Sequence, residues 1–409
     1  MKDKHSNVLP IVVMYLLFFM IAFVTNFAGS MGVIVKNQYG ASVAMTQLGS
    51  LANFLAYACM GIPAGFILRG KGYKFTSLLA VSIGFVGVGI QWISGYVESF
   101  GIYVLGAFIA GFSMCLLNTV VNPMLNTLGG GGNRGNQLIQ FGGSCNSIGG
   151  TLAPIVLGWL IGGEMATAKV ADAAPAMLTA MAIFVVAFVV VLFSYIPEPH
   201  IETPEQKADR LAQKDGKSPF TFRHFTLGAI AIFFYVGVEV AIPNMANLYM
   251  SNNPLVGPAI AGIVVGSYWL LMMAGRLIGG AVGGKVSSRA MLTTVSLIGI
   301  VLLLCVMFFP NSWVVPMRGV QLPVSMLVMA LCGLMTSVMW GAIFNLSVEG
   351  LGKYTPAASG IFMAFVCGGG IIPFFHGALA NSVGLLGSYV VSIACLVYIL
   401  FYAVIGSRR

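Results

Sequence analysis

Long apolar runs alternate with short polar breaks along the whole chain. Measured against the roughly 20 apolar residues that a bilayer-crossing helix needs, they predict twelve spans. These fall at about 9–35, 44–68, 75–97, 101–127, 137–162, 175–196, 224–250, 256–282, 289–309, 321–347, 356–380 and 385–406. One long hydrophilic segment, Pro197 to Phe222, separates six spans from six. It carries Glu198, Glu202, Glu205, Lys207, Asp209, Arg210, Lys214, Asp215 and Lys217. A mixed-charge stretch of this kind reads as a solvated linker with room for a short surface helix. The expected organisation is an N-terminal six-helix bundle over 1–196, a cytoplasmic linker over 197–222 and a C-terminal six-helix bundle over 223–409.

The halves repeat each other. Span five carries Gly150, Pro154 and Gly158; span eleven carries Gly369, Pro373 and Gly377, 219 residues later. Asn126 and Asn345 stand at the same offset. The connection after span two has Gly65, Arg69, Lys71, Gly72 and Lys74; the one after span eight has Gly280, Gly284, Lys285 and Arg289. Gly and Pro are common in membrane helices, but a constant offset across several helices favours duplication. The fold class is therefore an all-α membrane protein of two related six-helix bundles, as in the major facilitator fold, with a central site between them.

Composition agrees. The 409 residues are 58% hydrophobic and 8% charged, against roughly 25% charged in an ordinary soluble domain, so lipid must act as solvent. The net charge of +9 is explained by orientation in the membrane and not by nucleic acid. With the N-terminus cytoplasmic, the outer loops hold only Lys36, Lys169 and Arg318 of the 20 Lys and Arg residues. Both termini are then inside, in a multi-pass cell (inner) membrane protein. Lys2 and Lys4 precede an apolar run without an A-x-A-like site, so the first helix is expected to be retained as a signal anchor. The seven cysteines all lie in apolar segments without a C-x-x-C pair, and read as small buried hydrophobes. No metal or cofactor is expected.

Polar residues inside spans are costly, so they are where chemistry is sought. Span four holds Asn118, Asn122 and Asn126 on one face. Span five holds Gln137, Gln140 and Ser144, then Asn146 and Ser147; span two holds Gln47, Ser50 and Asn53; span one holds Asn26. Each amide offers a donor and an acceptor, which suits a neutral polyhydroxylated solute; the competing reading is hydrogen-bond glue between helices. Asn244, Asn247, Asn345, Trp340 and His376 extend the candidate substrate set. Trp269 or Trp340 could stack on a sugar face, or simply pack; His376 could bond a hydroxyl, relay a proton, or pack. Glu239 is the one acid deep in a span, on a face with Pro243 and Asn247. An isolated carboxylate there can take a proton or bind a cation, or it can be a neutral structural group. Pro243 frees a backbone carbonyl. Arg276, inside the end of span eight, is expected to snorkel or to pair near Glu349 in a gate, with Arg69 and Lys71 as further gating residues. No other strong cation lies deep, which argues against a phosphate or carboxylate substrate. Among enzyme motifs, HExxH, GxSxG and Walker A are all absent, and Gly129 to Gly132 reads as a flexible turn.

At four places the sequence resembles the fucose–galactose–glucose:proton symporter family of the major facilitator superfamily. These are Asn122-Pro123 followed by Leu128-Gly129, Asn146-Ser147-Ile148-Gly149, Tyr235 to Ile242 reading YVGVEVAI, and Gly368 to Gly384 reading GGGIIPFFHGALANSVG. The resemblance implies a hexose-like substrate and a Glu at position 239, which part of the family has. It also marks departures. The family commonly has an Asn-Asp pair in span one where Ala28-Gly29 stand, some members have a Glu at the position of Asn118, and a Gln is common at His376. The superfamily's acidic position after span two falls on Arg69.

The leading expectation is a secondary transporter of a sugar or related neutral solute, a monomer coupled to H+ or Na+. The first alternative is an exporter or facilitator of another small metabolite. A non-transporting membrane sensor would call for a signalling module, and the tails outside the spans are only a few residues.

Overall fold

The computed structural model describes residues 8–30, 38, 48–160, 169–170, 172–199, 218–251, 256–317 and 319–408. The expectations on Lys2, Lys4, Lys36, Arg318 and the charged stretch from Glu202 to Lys217 lie outside them. Asn26, Pro154 and Trp159 have backbone within helices, but their side chains also lie outside the described set.

Span one is α1 (Val8–Ser30). Spans two and three form α2 (Leu48–Val97), folded at Gly72, whose φ of 84° is open to glycine at little cost. Spans four, five and six are α3 (Phe100–Leu128), α4 (Gly132–Leu160) and α5 (Ala174–Phe193). Spans seven, eight and nine are α6 (Arg223–Ser251), α7 (Gly257–Gly283) and α8 (Ser288–Phe308). A hairpin of β1 (Val314–Met317) and β2 (Val320–Pro323) follows. Span ten is α9 (Val324–Thr336) and α10 (Met339–Val348). Span eleven runs through α11 (Thr355–Ala364) into α12 (Gly368–Gly387), and a second glycine turn at Gly384, φ 80°, leads through α13 (Val390–Phe401) to the end of span twelve. Among the described residues nine helices are long and apolar enough to cross a membrane; Leu51–Val97 is two spans, and α4 and Val390–Gly406 complete twelve. Span ten starts later than expected, because residues 321–323 belong to the hairpin.

The chain packs as two compact units. One comprises Met1–Gly130, Cys145–Pro219 and Gly350–Ala364. Its core gathers Met14, Leu17, Tyr57, Met114, Leu117 and Phe184, and α11 lies against α2 and α3. Helix contact is close there: a Cβ on Gly61 would stand 2.5 Å from the Ala364 backbone nitrogen. Glu198, expected in a solvated linker, instead caps span three. Its carboxylate accepts from the Tyr73 N–H at 2.5 Å and the Lys74 N–H at 2.9 Å, satisfying two donors at the positive end of the helix.

The other unit comprises Gly131–Ser144, Phe220–Glu349 and Phe365–Arg409. Here α6 is the central helix, packed on α12, α10, α7 and α13. Tyr235, Tyr268, Phe344, Tyr389 and Tyr402 fill the core. Leu270, Val301 and Phe308 stand exposed, as side chains do when hydrocarbon is the solvent.

Candidate functional site

Proline sets the site's backbone. Pro243 sits inside α6 and has no N–H, so the carbonyl four residues earlier, that of Glu239, loses its helical donor. The Tyr268 hydroxyl of α7 supplies the missing bond at 3.2 Å and also lies 3.0 Å from Thr336 Oγ1 of α9. Glu239 is thereby tied through its main chain to two neighbouring helices.

Its carboxylate is not isolated. Arg276 Nη2 donates to Glu239 Oε1 at 3.0 Å, with the two side chains 11% and 14% exposed. The expected pairing of Arg276 near Glu349 is corrected: the carboxylate that it binds is Glu239, 37 residues away on the adjacent helix. Its other terminal nitrogen, Nη1, donates to the Gly143 carbonyl of α4 at 3.1 Å. Position 143 suits glycine, since a Cβ there would lie 3.3 Å from Arg276 Cδ. A desolvated ion pair persists only where both charges find good partners, and here the guanidinium holds Glu239 and the Gly143 carbonyl at once. The buried Tyr235 hydroxyl, one turn before Glu239, lies near the carboxylate without a hydrogen bond of ordinary length. The Tyr235 ring meets Trp340 edge-on at 6.3 Å.

Polar residues from α4 continue the network. Gln140 Nε2 donates to the Val338 carbonyl at 2.8 Å, and Asn136, which sequence reasoning missed, accepts from it at 3.4 Å. The Gln140 amide is thus engaged in holding helices, as the glue reading had it. Gln137 lies against Gly283 at the end of α7 and Gly284 just beyond it. Asn345 donates to Ser288 Oγ at 2.9 Å. Asn244 and Asn247 are exposed on α6, and Trp340 is half-buried. His376 is fully buried, its ring edge-on to Tyr389 and Nδ1 3.4 Å from Ser392 Oγ. Glu349 is exposed, and its backbone carbonyl meets His224 Nε2 at 3.0 Å.

The first unit contributes neutral groups. Asn118 Nδ2 donates to Tyr57 Oη at 3.0 Å, and Asn122 Nδ2 to the Asn118 carbonyl at 2.9 Å; both are buried. Asn146 bonds the Phe18 carbonyl at 3.0 Å. Arg69 and Lys71 lie over the rings of Phe66 and Phe75 on their own helix. Pro123 of α3 frees the Thr119 carbonyl as Pro243 frees that of Glu239, and Ser359 Oγ of α11 donates to it at 3.1 Å.

Among the described residues, two bundles of membrane-crossing helices with neutral amides and a buried ion pair have the make-up of a membrane carrier. The chain belongs to the Major Facilitator Superfamily, whose family description matches residues 13–374. It is 28% identical to a glucose/galactose transporter of Brucella abortus, over 96% of this chain and 93% of that protein. It is 27% identical to a putative glucose/galactose transporter of Helicobacter pylori, over 100% and 99%. Its fold is that of the Escherichia coli fucose:proton symporter crystal structure, with a TM-score of 0.81 at 19% identity, covering 99% of this chain and 100% of that one.

Proposed function

We propose that this protein is a secondary active transporter that moves a hexose-like sugar by alternating access, coupled to a cation at Glu239. The observation that carries this reading is the Glu239–Arg276 pair, buried amid neutral amides and hydroxyls. The likeness to glucose/galactose transporters over nearly the whole chain supports the substrate class. Neutral amides donate to and accept from sugar hydroxyls alike. Asn244 and Asn247, exposed on the helix of Glu239, and Gln137 and Trp340, both part-exposed, are the groups with room to meet a solute. Asn26, Asn118, Asn122, Gln140, Asn146, Asn345 and His376 complete the proposed set, several of them by holding the helices that carry it.

The coupling follows from charge. With Glu239 ionised, the site is neutral and held shut on itself by the ion pair. A proton on the carboxylate, or a sodium ion among its oxygens, changes the forces that fix Arg276. A site whose cation affinity differs between two states lets the cation gradient drive the solute. The symporter of the same fold favours the proton. Both termini face the cytoplasm, with 1–196 and 223–409 as the two bundles, 197–222 as the linker, and Arg69, Lys71, Arg276 and Glu349 on the gating side; the carrier works as a monomer.

Uptake of glucose, galactose and fucose into proteoliposomes, under separate proton and sodium gradients, tests the reading. Saturable hexose uptake accelerated by one gradient is expected. Glu239→Gln, which mimics the protonated acid, is expected to lose accumulation and keep counterflow exchange. Absence of hexose counterflow in the wild type, or gradient-driven accumulation by Glu239→Gln with normal ion dependence, refutes it.

A further inference from the structure

The 219-residue offset recurs in the contacts as well as in the sequence. Gln140 and Ser359 are offset partners; so are Val338 and Thr119. The bond from Gln140 to the Val338 carbonyl and the bond from Ser359 to the Thr119 carbonyl are therefore one contact made twice. Gly280 and Gly61 repeat it. A Cβ on Gly280 would stand 2.6 Å from the Phe141 ring and one on Gly61 2.6 Å from the Gly360 carbonyl, and Phe141 and Gly360 are again offset partners. Each unit thus holds the first part of the other repeat's fifth helix against a neighbour by the same device.

The ion pair breaks this pattern. The offset partners of Glu239 and Arg276 are Met20 and Tyr57. Tyr57 makes a neutral bond to Asn118 where Arg276 holds a carboxylate and, through Nη1, the Gly143 carbonyl. Architecture alone does not call for the charges, because the repeat without them packs the same way. Gly143 lies one turn beyond Gln140, so the guanidinium joins Glu239 directly to the segment that the repeated contact secures.

We propose that Arg276 is a positioning residue that transmits cation binding at Glu239 to the first part of α4. The inference rests on the coupling role proposed for Glu239. While that carboxylate is ionised it fixes the guanidinium, and Nη1 holds the Gly143 carbonyl. A proton arriving from water bonds to a carboxyl oxygen and stays there; the guanidinium keeps its charge and loses its counter-charge. An uncompensated buried cation is strongly disfavoured, so Arg276 moves toward water, releases Gly143, and leaves α4 held by the Gln140 bond to Val338, the Asn136 bond to Met291 and the packing of Gln137 and Phe141 on α7. Among the described residues, the ionisable groups facing Glu239 are Arg276 and Tyr268 from α7 and Tyr235 from α6 itself.

Hydrogen–deuterium exchange on the reconstituted full chain reads this directly. In Glu239→Gln, amides of residues 136–144 are expected to exchange about tenfold faster than in the wild type, with α8 and α13 unchanged. Arg276→Lys keeps a charge for Glu239 but has one head nitrogen for two acceptors, and is expected to speed the same segment; it carries the test if Glu239→Gln does not fold. Unchanged exchange at 136–144 in the variants that fold, or a rise spread evenly over the unit, overturns the proposal. The two readings fail separately. Accumulation retained by Glu239→Gln sinks the coupling role, whereas accumulation lost with α4 unmoved sinks only the transmission through Arg276.

Discussion

A proline in a membrane helix strands a carbonyl where no water can reach it, and each unit answers with a hydroxyl. Tyr268 serves Glu239, and Ser359 serves Thr119. Removing a hydroxyl leaves the acceptor buried and unbonded, a loss of about 0.5–1.5 kcal/mol for each bond. Tyr268→Phe deletes two contacts, to Glu239 and to Thr336, and Ser359→Ala deletes one. Thermal unfolding in detergent is expected to show the larger fall in midpoint for Tyr268→Phe. Equal falls would mean that the Tyr268 bond to Glu239 contributes little. What could be read in advance at this scale was local. Asn118 and Asn122 share a face by helical periodicity and do bond each other, and Pro243 announces its own carbonyl. The partners from other helices were not legible. No period links Glu239 to Arg276, and in isolation each suggested a different role.

Helices here approach as closely as their glycines permit, and the permission differs between the two repeats. Opposite Gly61 stands backbone, the Ala364 nitrogen and the Gly360 carbonyl; opposite Gly280 stands the ring of Phe141. Backbone in a helix cannot yield, whereas an aromatic side chain can turn. Gly61→Ala is therefore expected to lose most transport or expression, and Gly280→Ala to keep a substantial share, measured as counterflow per folded molecule. The reverse order would show that Phe141 is as fixed as the main chain. Helix boundaries were legible where polarity changed: the breaks expected between 68 and 75 and between 380 and 385 fall on the turns at Gly72 and Gly384. The start of span ten was not, because Gln321-Leu322-Pro323 is apolar enough to join a helix and also alternates well enough to pair as a strand. Glu198 was misplaced for a similar reason, since charge density in a linker says nothing about a single carboxylate that reaches back to a helix end.

At the scale of the molecule, the two halves share a repeated scaffold, and among the described residues only the second repeat carries this buried ion pair. The constant offset made the two-bundle fold readable from glycines and prolines before any contact was known. It could not reveal the ion pair, which departs from the repeat. That departure has a consequence for the membrane potential. On the coupling proposed for Glu239, the acid and Arg276 sum to zero when the carrier is empty and to one positive charge when the coupling cation is aboard, and a neutral sugar adds nothing. The loaded carrier, not the empty one, then feels voltage, at about 2.3 kcal/mol for each 100 mV if the charge crosses the full field. An inside-negative potential is expected to speed loaded inward reorientation and to leave the empty return indifferent. Transient charge movements on a supported membrane should appear only with both sugar and coupling cation present. Charge displacement by the empty protein would instead mark a lone carboxylate. A carrier coupled through a paired acid, as proposed here, would let the resting potential push cargo inward without pulling against its own return.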